Sequence, residues 1–121
     1  MEDVSDTGPK GKTSLGIEEN LEGLLAYLGW WLTGIIFLLL EKDSDFVRFH
    51  AMQSTIAFLG ITILAWILAV IPFVGWVLSE LLWLLGVILW IVGMIKAYQG
   101  ERYKFPFIGD LAEQWLGKVN L

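Results

Sequence analysis

The sequence predicts an all-α polytopic membrane protein: three transmembrane helices, then a C-terminal amphipathic helix at the membrane interface. Three observations predict it. Hydrophobic residues make up 56% of the 121-residue chain and charged residues only 17%, against about 25% charged in an ordinary soluble domain. A domain this small has too much surface to hide that much apolar material from water. The apolar residues also fall into two long blocks, 23–40 and 51–95; the first has no charge and the second only Glu80.

Residues 1–20, MEDVSDTGPKGKTSLGIEEN, are polar and lack the basic start and apolar stretch of a signal peptide. They read as a disordered tail, with the single membrane domain over 21–121. The first span is expected over about 22–40. Its eighteen uncharged residues, 23–40, would cover roughly 27 Å as a helix, close to a hydrocarbon core of about 30 Å. Trp30 and Trp31 lie in mid-run, where they read as packing groups. The run stops at Glu41-Lys42-Asp43-Ser44-Asp45.

The second block would be roughly 68 Å long as one helix, so it must turn. Pro72 and Gly75 mark the break. Spans over about 51–71 and 76–98 follow, joined by a tight hairpin. Ile108, Leu111, Trp115 and Val119 then repeat at three- and four-residue intervals behind Pro106. This predicts an amphipathic helix over about 106–119, lying on the membrane surface or capping the bundle in water.

With three spans the termini lie on opposite sides. One side then carries Lys10 and Lys12; the other carries Lys42, Arg48, Lys96, Arg102, Lys104 and Lys118. The positive-inside rule makes the second side cytoplasmic. A plasma-membrane protein with its N-terminus outside and its C-terminus inside is expected.

A net charge of −5 argues against a nucleic-acid partner. The chain has no cysteine and one histidine, which excludes thiolate chemistry and a multi-histidine metal centre. No phosphate-binding glycine loop, paired carboxylates or nucleophile elbow is visible, so no catalytic site, cofactor or metal is expected.

Three groups of residues stand out. Arg48, His50, Gln53 and Ser54 cluster at a helix start, where they could contact a partner, substrate or lipid head group, or bond a neighbouring helix. Trp76, Trp83 and Trp90 form one seven-residue row, and Ser79, Gly86 and Gly93 another. These rows make a helix-packing face for the same chain or for a second copy, with Ala57, Ile61, Ala65 and Ala69 as a possible mate. Glu80 is the one acid within the long apolar runs; it is either a proton or cation site or a carboxylate snorkelling to water.

Phe46-Val47-Arg48-Phe49-His50-Ala51-Met52-Gln53-Ser54 resembles a FxRFHAxQS-type signature. Ala97-Tyr98-Gln99-Gly100, followed by Phe105-Pro106-Phe107-Ile108-Gly109-Asp110, resembles an AxxG…PxIGD pattern. Both resemble the Tic-twenty-like family of small bacterial and archaeal membrane proteins, over about residues 20–115. The resemblance implies a helical integral membrane protein and hints at protein translocation, although the chloroplast member is described with four spans. It carries no catalytic residues. The expectation is a non-catalytic subunit or accessory factor in the lipid bilayer, partnered by other membrane proteins or by itself. The alternative is a homo-oligomeric channel or transporter.

Overall fold

The computed structural model describes residues 13–118, so most of the expected tail and Val119 lie outside the described residues. Five helices follow in order: α1 Glu19–Leu28, α2 Trp31–Leu40, α3 Asp45–Leu68, α4 Val74–Tyr98 and α5 Ile108–Lys118. The described residues contain no β-strand.

The main departure from expectation is the first span. It is not one helix over 22–40 but two helices of 10 residues each, each roughly 15 Å long. The chain reverses at Trp30, whose φ of 67° is left-handed. Such a backbone costs about 1–3 kcal/mol unless its surroundings hold it. Here they do. The Trp30 indole stacks on Phe58 at 4.3 Å and donates to Thr62 Oγ1 at 3.0 Å, while its carbonyl accepts from Ser54 Oγ at 2.9 Å. The Thr33 hydroxyl accepts from the Gly29 N–H at 2.9 Å and donates to the Ala26 carbonyl at 3.2 Å. Backbone groups freed by the break are thus satisfied.

α1 climbs along the C-terminal half of α4. Asn20 Nδ2 donates to the Tyr98 carbonyl at 3.1 Å, and the rings of Tyr27 and Trp30 cover Gly93 and Gly86. α2 then descends along the N-terminal half of α3, with Gly34 against Ala51 and Thr55 and the Leu38 carbonyl accepting from Arg48 Nη1 at 2.9 Å. The two short helices form a hairpin that starts and finishes at one end of the molecule. That end also holds the start of α3, the end of α4 and α5; we call it the closed end. Beyond Trp30, α3 and α4 continue alone as a bare hairpin.

α3 and α4, of 24 and 25 residues, are long and apolar enough to cross a membrane. No other described helix is, so three spans are not seen. α3 starts at Asp45 rather than near 51, because Ser44 caps it, its Oγ accepting from the Val47 N–H at 3.2 Å. α4 and α5 lie close to their expected bounds. α5 docks on α3, where Ala112 joins Ala26, Leu38, Phe49, Ala51 and Met52 in one apolar cluster.

One repeat shapes both of these later helices. Pro72-Phe73-Val74-Gly75 and Pro106-Phe107-Ile108-Gly109 precede or open α4 and α5. Phe73 and Phe107 have φ of 60° and 63°. The Val74 N–H donates to the Pro72 carbonyl at 2.7 Å, and the Ile108 N–H to the Pro106 carbonyl at 2.6 Å. Both are three-residue γ-turns of the strained kind. Each glycine is required by space: a Cβ at Gly75 would lie 1.9 Å from the Leu68 carbonyl oxygen, and one at Gly109 2.3 Å from Lys104 Cβ.

Candidate functional site

The polar core of the closed end is built on α3. His50, Gln53 and Ser54 have no exposed surface. His50 Nε2 lies 2.9 Å from the Glu101 carbonyl, which can only accept, so Nε2 carries the proton. Nδ1 is then the acceptor for the Tyr27 hydroxyl, 2.6 Å away. Gln53 Nε2 donates to Tyr27 Oη at 2.8 Å and to the Tyr103 carbonyl at 3.0 Å, and its Oε1 accepts from the Phe105 N–H at 2.9 Å. One assignment of protons satisfies the whole network, which joins α1, α3 and the strap 99–107.

Arg48 does similar work for α2. Its Nη1 donates to the Leu38 carbonyl at 2.9 Å and to the Glu41 carbonyl at 2.8 Å. Each of the four signature residues therefore bonds to the backbone of another segment. They sit within the first turns of α3, not at its junction with the loop, and the imidazole is enclosed by Tyr27, Phe46 and Phe49. The strap residues that receive these bonds, Glu101, Tyr103 and Phe105, were not singled out by the sequence; their backbone groups carry no side-chain signature. Outside the network, Arg102 pairs with Asp45 at 2.7 Å and Glu113 at 3.4 Å, and Lys104 with Asp110 and Glu113 at 3.1 Å each. These exposed pairs hold the strap to α3 and α5.

The two rows on α4 face their own chain. Ser79 Oγ donates to the Ala65 carbonyl at 3.1 Å, Trp76 Nε1 to that of Ala69 at 3.0 Å and Trp90 Nε1 to that of Tyr27 at 2.8 Å. Trp83 lies 6.1 Å from Trp30, ring to ring. Ala57, Ile61 and Ala65 are buried opposite them, while Ala69 is exposed. Glu80 stands apart on the exposed side of the bare hairpin.

A pair of acids was missed. The expectation of no paired carboxylates is corrected by Glu22 and Glu41, which meet at the mouth of the α1–α2 hairpin and have no exposed surface. Burial pushes Glu22 up to about 7; the Thr13 hydroxyl opposes this, and the hydrogen bond to Glu41 and the charges of Glu41 and Glu19 add to it. Burial also resists ionisation of Glu41, but hydrogen bonds from Glu22, Ser44, Ser14 and Asp43 outweigh it and hold Glu41 at about 2. In sequence these acids flank an apolar run, and only a run that doubles back brings them together. Among the described residues, no three His, Asp or Glu side chains converge so as to hold a metal ion.

Residues 18–112 match the model of the magnetosome magnetite crystal formation protein family. Two UPF0132 membrane proteins of Methanocaldococcus jannaschii are similar to the chain. One is 58% identical over 84% of this chain and 73% of its own length; the other is 59% identical over 87% and 94%. A UPF0132 membrane protein of Archaeoglobus fulgidus is 48% identical over 85% of this chain and all of its own length. No solved structure matches. These findings overturn the Tic-twenty-like resemblance: the matched stretch covers both motifs that carried it, yet it matches a different family model. From its signature helix to its docked α5, this helical membrane protein belongs to the magnetosome magnetite crystal formation protein family.

Proposed function

We propose that the chain is a non-catalytic subunit or accessory factor of a membrane assembly, resident in the plasma membrane, crossing it twice through α3 and α4. One observation carries this reading. The polar side chains of the signature are consumed by bonds within the chain, whereas the bare hairpin of α3 and α4 presents an apolar exterior in which Glu80 is the one charged side chain. Trp66, Val70, Phe73 and Val74 on the bare hairpin are 68%, 80%, 76% and 64% exposed. An apolar surface of that size belongs in lipid or against another membrane protein. The family description concerns magnetite crystal formation; for this chain we carry over residence in a membrane assembly and no iron chemistry.

The hairpin of α1 and α2 supports a topology with both termini on one side. No Lys or Arg occurs between Arg48 and Lys96, so every one in the sequence falls outside the bare hairpin. The closed end is then cytoplasmic by the positive-inside rule. This replaces an N-terminus on the outer side. Cysteines placed singly at Ser14, Tyr103 and Phe73 in whole cells test it with an impermeant thiol reagent. Labelling at Phe73 alone is expected; labelling of Ser14 but not Tyr103 would restore the three-span topology.

A homo-oligomer is the second reading, favoured by the width of the bare apolar face. The native mass in nanodiscs separates the two. Other proteins bound in fixed ratio are expected; multiples of this chain alone would move the conclusion to a self-assembled pore.

A further inference from the structure

We propose that Glu22 and Glu41 form a proton-binding latch at the mouth of the α1–α2 hairpin, one shared proton holding its two ends together. Glu22 lies in the first turn of α1, and Glu41 follows the last residue of α2. Whatever links them closes the hairpin. Both side chains are without exposed surface. Among the described residues nothing donates to Glu22 Oε2 or Glu41 Oε1, while two adjoining residues bind the other oxygen of each acid, the Thr13 hydroxyl donating to Glu22 Oε1 and the Ser14 N–H to Glu41 Oε2, which sets the two carboxyl groups side by side. Two ionised carboxylates cannot satisfy one another, since both only accept. A single proton between them turns two orphaned acceptors into one short, charge-assisted bond.

The surroundings assign the proton to Glu22. Glu41 Oε2 already accepts from the N–H groups of Ser14, Asp43 and Ser44, at 3.3, 3.0 and 2.9 Å. Those three donors favour its charged form. Glu22 Oε1 has only the Thr13 hydroxyl. Glu19, on the same helix, bonds Ser44, and Lys42 and Asp43 lie in the turn after α2, the Lys42 N–H donating to Ser14 Oγ at 3.4 Å. Arg48 of α3 is turned onto the Leu38 and Glu41 carbonyl oxygens, and Asp45 is paired with Arg102. At the end of α4, Lys96 pairs with Glu101 at 3.5 Å. Among the described residues no cation hydrogen-bonds either carboxyl, so within them a proton is the counter-charge that fits the pair. When it leaves to water, two anions face each other across the hairpin mouth, and like charge drives α1 from the end of α2. The Thr13–Ser14 segment, bonded to both acids, is released with them.

The full chain in nanodiscs, titrated from about pH 5 to about pH 9, gives the test. The infrared carbonyl stretch of protonated carboxyls is followed. A band that outlasts the ordinary carboxylate range and vanishes with a midpoint of about 7 is expected, and Glu22→Gln should remove it. A second readout follows the hairpin itself. The chain has no cysteine, so Ala26→Cys places one buried thiol beside α2. Its labelling, relative to an exposed thiol at Gly117→Cys, where an added side chain meets nothing, should rise roughly tenfold across the same range. In the Glu22→Gln background, where the amide keeps a donor at every pH, that rise should vanish. A band that titrates in the ordinary carboxylate range, or that persists in Glu22→Gln, overturns the proposal. A midpoint that moves with sodium at constant ionic strength also overturns it, because a metal ion would then compete for the pair. Should Glu22→Gln fail to fold, the unsubstituted titration and the Ala26→Cys readout still decide.

Discussion

The closed end and the bare hairpin are made of the same two long helices, yet they are held differently. At the closed end α1, α2, the strap and α5 surround α3 and α4, with His50, Gln53 and Tyr27 bonded at the centre. In the bare hairpin α3 and α4 meet through a narrow strip, Ser79 on Ala65 and Gly75 on Leu68. Lipid tails are as apolar as leucine, so apolar contact between helices gains little in a bilayer; close packing and hydrogen bonds decide. The closed end therefore specifies the fold, and the bare hairpin supplies a surface for the membrane.

The largest effect should come from breaking the closed end at the contact that covers its central network. A Cβ on Gly93 would lie 2.8 Å from the Tyr27 ring. Gly93→Leu must expel that ring and with it the Tyr27–His50–Gln53 bonds. A loss on the order of 3–5 kcal/mol is expected, read as thermal stability in detergent. Gln53→Ala removes one side chain from the same network and strands the Phe105 N–H and Tyr27 Oη. It should cost about 2–3 kcal/mol and free the strap, seen as faster amide exchange at 101–105 with α4 unchanged.

pH should act on the closed end alone. The carboxyl of Glu22 is raised in the fold from 4.5 to about 7. The folded chain keeps a proton that the unfolded chain releases, so this contribution is whole below 4.5 and is lost as pH rises through 7. Glu41 is lowered to about 2, so its contribution is present above 4.5 and is lost as pH falls through 2. Together they place the pair's greatest contribution near 4.5. From about pH 6.5 to about pH 9 the melting temperature should fall further in the unsubstituted chain than in Glu22→Gln, by a few degrees.

In the bare hairpin the same kind of truncation should do little. Trp66→Ala, at a side chain 68% exposed, should change stability by less than about 0.5 kcal/mol, since lipid replaces what it touches. An equal loss there and at Gln53 would erase the distinction between the two regions. One substitution should instead bring a gain. Phe107 is 90% exposed with a left-handed backbone, and Phe107→Gly should relieve about 0.5–1 kcal/mol of strain in chemical unfolding.

Much of the helical content was legible. α4 and α5 fall near their expected bounds because Pro72, Gly75 and Pro106 punctuate the apolar pattern. The start of α3 was placed too late, since Asp45-Phe46-Val47-Arg48 looks like a loop until Ser44 is seen to cap it. The reversal at Trp30 was invisible, because eighteen uncharged residues spell a span whether or not they bend. The signature residues stood out as a group in the sequence, but their bonding did not: His50 and Gln53 reach the strap, whose part is played by backbone groups of Glu101, Tyr103 and Phe105.

Composition and run length by themselves determined that this chain is helical and belongs in a membrane, because the cost of exposing apolar side chains depends on their number and not on their arrangement. Only the tertiary structure decided that the first run folds back on itself as two short helices. The stack of Trp30 on Phe58, its bond to Thr62 and the meeting of Glu22 with Glu41 join residues 19 to 32 positions apart. Contacts of that kind choose between two apolar conformations that local hydropathy scores alike.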